Sequence, residues 1–190
     1  MKKTFPWLLL LLCGSASAFE LPFSAHAPPT IAASGTVQFA FSPQDDAGAL
    51  VEQAIRGAKK QVLVQAFSFT HRKIAQALID ARRRGVDVQL IADDEQIRRM
   101  ERGMVPSIAA AGVTTFVDSA HSSAHNKIMV IDAGTPQAVV ITGSFNFTQA
   151  AQYKNAENLL IFRGNPQLTQ AYLANWQQHR AHARPFEPGR

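Results

Sequence analysis

His125 and Lys127 stand one residue apart at the start of an apolar run, Ile128-Met129-Val130-Ile131, that closes on Asp132. Further on, Gly143-Ser144-Phe145-Asn146 follows a second apolar run, and Glu157 lies in the polar segment Lys154-Asn155-Ala156-Glu157-Asn158. These residue types suit one kind of reaction. A neutral imidazole is a nucleophile near neutral pH without help from a metal, and an ammonium beside it neutralises an oxygen on which negative charge is building. A phosphodiester carries such oxygens around an electrophilic centre. Ser144 and Asn146 add hydrogen-bond donors for the phosphate or for the groups that support it, and Gly143 permits close backbone approach. Glu157 is the carboxylate expected against the imidazole, where it would fix the tautomer and stabilise the cation.

Side chains alternate faces along a strand, so His125 and Lys127 share one face, their Cα atoms roughly 6 to 7 Å apart. His125, Lys127, Asp132, Ser144, Asn146 and Glu157 form the candidate catalytic set, with Lys127, Ser144 and Asn146 as the substrate contacts. Within that set Asp132 is placed differently. It follows His125 at an odd interval, which puts it on the opposite face of an unbroken strand, and it reads as an acceptor that organises the strand end.

The elements that must hold these residues follow from hydrophobic period and turn chemistry. Val37 to Phe41 reads as a strand with Phe39 and Phe41 on one face, and a capped helix carrying Leu50, Ile55 and Ala58 follows it. Gln61 to Phe69 is apolar on both faces and reads as a central strand. Helices are expected over His71 to Arg84, Ile97 to Ala111, Thr148 to Tyr153 and Pro166 to Ala183. Further strands are expected over Val86 to Ala92, Val113 to Val117, His125 to Asp132, Gln137 to Thr142 and Asn158 to Phe162. Strands alternate with helices in the first half, which makes an α/β fold with a mixed β-sheet and helices on both faces the natural architecture. There is no internal repeat.

Residues 1–18 combine Lys2 and Lys3, the apolar stretch Trp7 to Leu12 and the small-residue site Ala16-Ser17-Ala18, the pattern of a secretory signal, so an exported protein, periplasmic or secreted, is expected. The chain's one cysteine, Cys13, falls inside it behind Leu12, a poor fit to lipid attachment. Residues 19–35, rich in Pro, Ser and Ala, read as an arm, and 36–190 as the working domain. Beyond the signal no stretch approaches the ~20 apolar residues of a membrane span, so stable membrane association is not expected. The formal charge is +5, or +3 without Lys2 and Lys3, which suits an anionic partner such as nucleic acid and equally suits plain solubility. No group of His, Cys or Asp has metal-ligand spacing, so no cofactor is expected and activity should persist in excess chelator. His71, His121, His179 and His182 carry no motif; Phe145 and Phe147 read as core or interface residues, and Arg82-Arg83-Arg84 as a solvated helix end.

His125-x-Lys127, four residues and then Asp132 resembles the HxKxxxxD signature of the phospholipase D superfamily, and Gly143-Ser144-x-Asn146 follows it as in that family. HNKIMVID, TGSFNFTQAA and KNAEN, together with FSFT at Phe67 to Thr70 and RRGVDV at Arg83 to Val88, look like the small bacterial non-specific endonuclease branch, whose members carry one motif per chain. The likeness runs from about Val37 to the final helix. It departs in one place: ten residues separate Asp132 from Gly143, a longer interval than the family's, and the surplus sits in the turn AGTPQ, where insertion is tolerated. The resemblance implies a phospholipase D-like α-β-α sandwich and double displacement through a phosphohistidine. That chemistry needs two histidines, so one motif per chain implies a homodimer in which two copies of His125, Lys127 and Asn146 meet across a twofold axis. The expected activity is metal-independent hydrolysis of nucleic-acid phosphodiesters, DNA or RNA. The competing expectations are the same chemistry on phospholipid headgroups and a catalytically dead nucleic-acid-binding protein.

Overall fold

The computed structural model describes residues 28–187, and from Ile31 onward they form one unit. The expected signal (1–18), the lipidation alternative at Cys13 and most of the expected arm lie outside the described residues.

Eight strands form one mixed sheet. In chain order the elements are β1 (Thr36–Ser42), α1 (Ala47–Gly57), β2 (Gln61–Ala66), α2 (Arg72–Arg83), β3 (Asp87–Asp93), α3 (Asp94–Arg99) and α4 (Val105–Ala110). They continue as β4 (Thr114–Asp118), β5 (Lys127–Ile131), β6 (Val139–Gly143), α5 (Gln149–Tyr153), β7 (Glu157–Arg163), α6 (Pro166–His182) and β8 (Arg184–Pro185). The strand order is β1-β7-β6-β5-β2-β3-β4-β8, with β2, β3 and β4 parallel and the remaining neighbours antiparallel.

Strand periodicity divides the core in two. Val62, Val64, Met129, Ile131 and Ile141 point to one face, where they pack with Val51 and Ile55 of α1, Ile74 and Leu78 of α2, and Ile108 of α4. Leu63, Ile91, Phe116, Ile128 and Val130 point to the other, against Tyr172, Leu173 and Trp176 of α6. Phe145 and Phe147 are core residues of the first face, each 1% exposed. Helices therefore cover both faces, and β5, buried along its whole length, is the strand that ties the two halves of the core together.

Four expectations need correction, and a fifth, borne out, acquires a consequence. The helix expected over Ile97 to Ala111 is two short helices. Asp93 caps α3 by accepting from Gln96 N at 2.8 Å, Gly103 lies in the break, and Pro106, which has no N–H to donate, sits in the first turn of α4. The central strand stops at Ala66 rather than Phe69; the Phe67 N–H carries the β5 pairing one residue further, to Asn126 O at 2.9 Å, and the chain then leaves the ladder. β5 begins at Lys127, not His125, which stays outside the sheet. The chain after α6 adds a short strand that pairs Pro185 with Phe116, too brief to show a period. On edge strand β1, Phe39 and Phe41 do share a face, together with Val37, but they are 63%, 54% and 52% exposed. α6 crosses the middle of that face of the sheet, so this row is left open.

Asp132 closes β5 with φ +50°, a left-handed conformation that Asp tolerates better than most residues. Its side chain accepts from Lys59 N at 2.8 Å, Lys60 N at 2.7 Å and Gln61 N at 2.9 Å, and its own N–H bonds to Gln61 O. It thereby fixes the start of β2 beside the end of β5. Hydrogen bonds to an ionised group contribute about 1.5–3 kcal/mol, and buried donors left without partners add to the loss. Asp132→Ala is therefore expected to lower unfolding stability by about 3 kcal/mol in urea titration, with Asp132→Asn losing less.

Candidate active site

Sheet register assembles the site at one end of β5, β6 and β7. Ala66 of β2 lies opposite Lys127, and continuing the β5–β6 pairing two residues past Met129↔Ile141 brings Gly143 opposite Lys127 on the other side. Gly143 in turn pairs with Leu159 of β7. One row across the sheet therefore holds Lys127 and Gly143, and the residues just beyond it form the rim: His125 before β5, Ser144 and Asn146 after β6, Glu157 and Asn158 at the start of β7.

Lys127 and His125 touch. Lys127 Nζ lies 2.9 Å from His125 Nδ1 and donates to His125 O at 2.7 Å. The His125 ring is exposed and leans on Phe67, ring centroids 4.2 Å apart, while Lys127 is 7% exposed with its ammonium 4.7 Å from the centre of the same Phe67 ring. Burial pushes the Lys127 ammonium down to about 8, and the negative charges of Glu157 and Asp93 oppose that shift. The site thus presents an imidazole to solvent over a cation that is nearly out of water.

Gly143 has φ +137°, a region open to glycine, and a Cβ there would overlap the Asn158 carbonyl oxygen and stand 2.9 Å from Asn158 Oδ1. That close approach lets Ser144 N donate to Asn158 O at 3.1 Å, while Ser144 Oγ accepts from Asn158 N at 3.0 Å and from Asn158 Nδ2 at 3.3 Å. Both side-chain bonds use the oxygen as acceptor, so the Ser144 O–H remains available as a donor. Asn146 is half-buried, and its Oδ1 is among the buried polar atoms with no hydrogen-bond partner.

The candidate set is not all in one place. His125 and Lys127 are in contact, Ser144 and Asn146 follow from the adjoining strand, and Glu157 starts the next. Glu157 Oε1 accepts from Asn155 Nδ2 at 2.9 Å rather than from the imidazole, and it acts on the site through its charge at Lys127. Asp132 is at the far end of β5, bound to the turn before β2, and is scaffold rather than catalyst. Sequence reading missed Phe67, Asn158 and Asp93. Asp93 Oδ2 accepts from Ala124 N at 2.8 Å and so holds the residue just before His125. An Asp ending a strand and capping the next helix carries no signal of that long-range bond. The fold also gathers Asp118, His121, His179 and His182, their ligand atoms all within 4.8 Å of one another, against the expectation of no metal-ligand group. They come as two pairs, Asp118 with His121 and His179 with His182, from segments far apart in the chain, and spacing could not reveal that the pairs meet.

Comparison with known proteins agrees with this fold. The family described as cardiolipin synthase, PLD-like domain, matches residues 51–180. The chain is 32% identical over 145 residues to a phospholipase D of Rickettsia typhi, covering 76% of this chain and 68% of that one. It is 35% identical over 105 residues to a mitochondrial cardiolipin hydrolase of Xenopus laevis, covering 55% of this chain and 48% of that one. Among solved structures it is similar to Nuc from Salmonella typhimurium, a phospholipase D family member, with TM-score 0.75 and 34% identity over 81% of this chain and 99% of that chain.

Because burial lowers the Lys127 pKa and Glu157 raises it, removing the carboxylate's charge should lower it further. Lysine-selective NMR titration is expected to give a midpoint near pH 8 for Lys127 and a lower one in Glu157→Gln. An equal midpoint in the variant would detach Glu157 from the site.

Proposed function

The chain belongs to the phospholipase D superfamily and is by that membership a phosphodiesterase, and on this footing we propose that it is a metal-independent endonuclease, acting on DNA or RNA through a covalent phosphohistidine at a site shared by two copies of the chain. The observation that carries this reading is the exposed His125 imidazole 2.9 Å from the nearly buried Lys127 ammonium. His125 attacks phosphorus, forming an N–P bond as the leaving P–O bond breaks. Lys127 neutralises the phosphoryl oxygens, with Ser144 and Asn146 positioned beside it to donate hydrogen bonds. The departing oxygen takes a proton from His125 of the partner subunit. Water then attacks phosphorus, the same partner imidazole accepts its proton, and His125 is released.

What supports a polymeric substrate is the open rim on which His125 sits, together with the basic balance of the chain. What supports pairing is the exposed row Val37, Phe39 and Phe41, which ends at Phe41 in register with Asn158 of the site rim. A second copy covering that row would bring the two rims close together. The same row also favours the alternative reading, a phospholipid headgroup as substrate: it is an exposed apolar element of the kind that the sequence did not reveal, and two of the relatives bear lipid-hydrolase names. Among the described residues no helix is long and apolar enough to cross a membrane.

Purified protein is expected to nick plasmid DNA in excess chelator and to leave cardiolipin vesicles intact. His125→Ala should lose nicking while keeping its circular dichroism and melting profile; substantial turnover by that variant would end the assignment, and vesicle hydrolysis without nicking would favour the lipid reading. General acid help contributes ~10²- to 10⁴-fold, so specific activity should fall steeply once dilution separates the chains. Activity unchanged where ultracentrifugation shows monomer would exclude the shared site.

A further inference from the structure

We propose that Asp118, His121, His179 and His182 form a second site, separate from the His125 centre, which binds one divalent transition-metal ion, zinc by preference, as a clip between the loop entering His125 and the end of α6.

The placement follows from ordinary periodicities. His179 and His182 lie three apart on α6 and so share one face of the helix. Asp118 ends β4 two residues beyond Phe116, whose ring packs in the cluster under α6, so its side chain points to the same side of the sheet. His121 follows on the next loop. Four potential ligand atoms, one from each residue, lie within 4.8 Å of one another.

The details fit a cation better than a hydrogen-bond cluster. Asp118 is fully buried, and its Oδ2 is approached by His179 Nδ1 at 2.7 Å, His182 Nε2 at 3.1 Å and His121 Nδ1 at 3.2 Å. Without an ion, three imidazole N–H groups would have to crowd onto one carboxylate, two of them onto Oδ2 and the third, from His121, shared between Oδ2 and Oδ1 at 3.2 and 3.3 Å. With an ion, three ring lone pairs and the carboxylate converge on a common centre. Zinc–nitrogen and zinc–oxygen bonds of ~2.0–2.2 Å set tetrahedral ligand atoms roughly 3.3–3.5 Å apart, within reach of small side-chain rotations from the present spacing. Asp118 Oδ1 accepts from Ala120 N at 3.0 Å, which orients the carboxylate from behind as bonds to the groups around a metal's ligands commonly do. The His121 side chain is 48% exposed and that of His182 36%, so an ion has a way in from solvent.

Three imidazoles and one carboxylate would fill all four positions of a tetrahedral zinc ion and leave none open, as in a structural rather than a catalytic site. The ion would fasten the loop at His121. Asp93 already fastens it at Ala124, and His125 comes next. The metal would thereby brace the far end of that loop, while Asp93 holds the residue beside His125, so the chemistry at His125 runs with or without the ion.

Tag-free, chelator-stripped protein should take up one zinc ion per chain, measured by elemental analysis after desalting, and its melting temperature should rise with added zinc. Cobalt in its place should give the intense visible bands of a tetrahedral site. His121→Gln and His179→Gln should each lose the uptake, the bands and the melting shift, whereas His125→Ala, altered only at the other centre, should keep all three. The His125→Ala result also separates this site from the proposed reaction. Wild-type protein that retains no zinc and shows no tetrahedral cobalt spectrum would overturn the proposal, even if a variant failed to fold. So would variants that bind as the wild type does.

Discussion

A lysine ammonium that is nearly out of water must be surrounded by fixed groups that replace its hydration, and Lys127 sets that requirement for its whole neighbourhood. The carbonyl and ring nitrogen of His125, the face of Phe67, and the charges of Glu157 and Asp93 meet it from four separate segments. None of these segments is adjacent in sequence except the one carrying His125. The sheet is what brings them together: β2 supplies the strand end before Phe67, β3 ends on Asp93, β7 begins at Glu157, and β5 holds the lysine at their centre. The cost of burying the charge is offset only while that arrangement is intact, which couples the folded core directly to the readiness of the site.

The two faces of the sheet contribute differently. One is covered by α1, α2 and α4 and carries most of the apolar core, including Phe145 and Phe147, which lock the segment around Asn146 in place. The other is covered mainly by α6, whose last turn reaches the loop before His125 through Asp118. The site lies at the boundary between them, on the rim, where His125 stays in contact with water and Lys127 does not.

The pattern of alternating strands and helices was legible because β2 and β5 are short continuous apolar runs and α2 has a strong helical period, and His125 with Lys127 was legible because their spacing and company are specific. What was hidden depended on long-range bonds or on coverage. A one-helix reading of Ile97 to Ala111 could not see that Met104 N bonds to Phe69 O across the fold. Phe39 and Phe41 show the alternation of a half-buried strand, yet among the described residues no helix reaches far enough across the sheet to cover them. The partner of Glu157 turned out to be its neighbour Asn155, a choice that depends on side-chain rotation and leaves no trace in spacing. His121, His179 and His182 were dismissed singly, and only the closure of α6 onto β4 brings them together.

The tight turn between β5 and β6 lies at the opposite end of these strands from Lys127 and Gly143. Its residues can therefore grow or shrink in number over descent without moving the chemistry, as the long interval between Asp132 and Gly143 in this chain already illustrates. β5 has no such freedom. Inserting or deleting a single residue within it would rotate Lys127 to the other face of the sheet, away from the Phe67 ring and the charge of Glu157. Inherited variation in length should thus accumulate in one short turn and be purged from the strand beside it, so that the lineage records the position of the site as a boundary between tolerated and forbidden gaps.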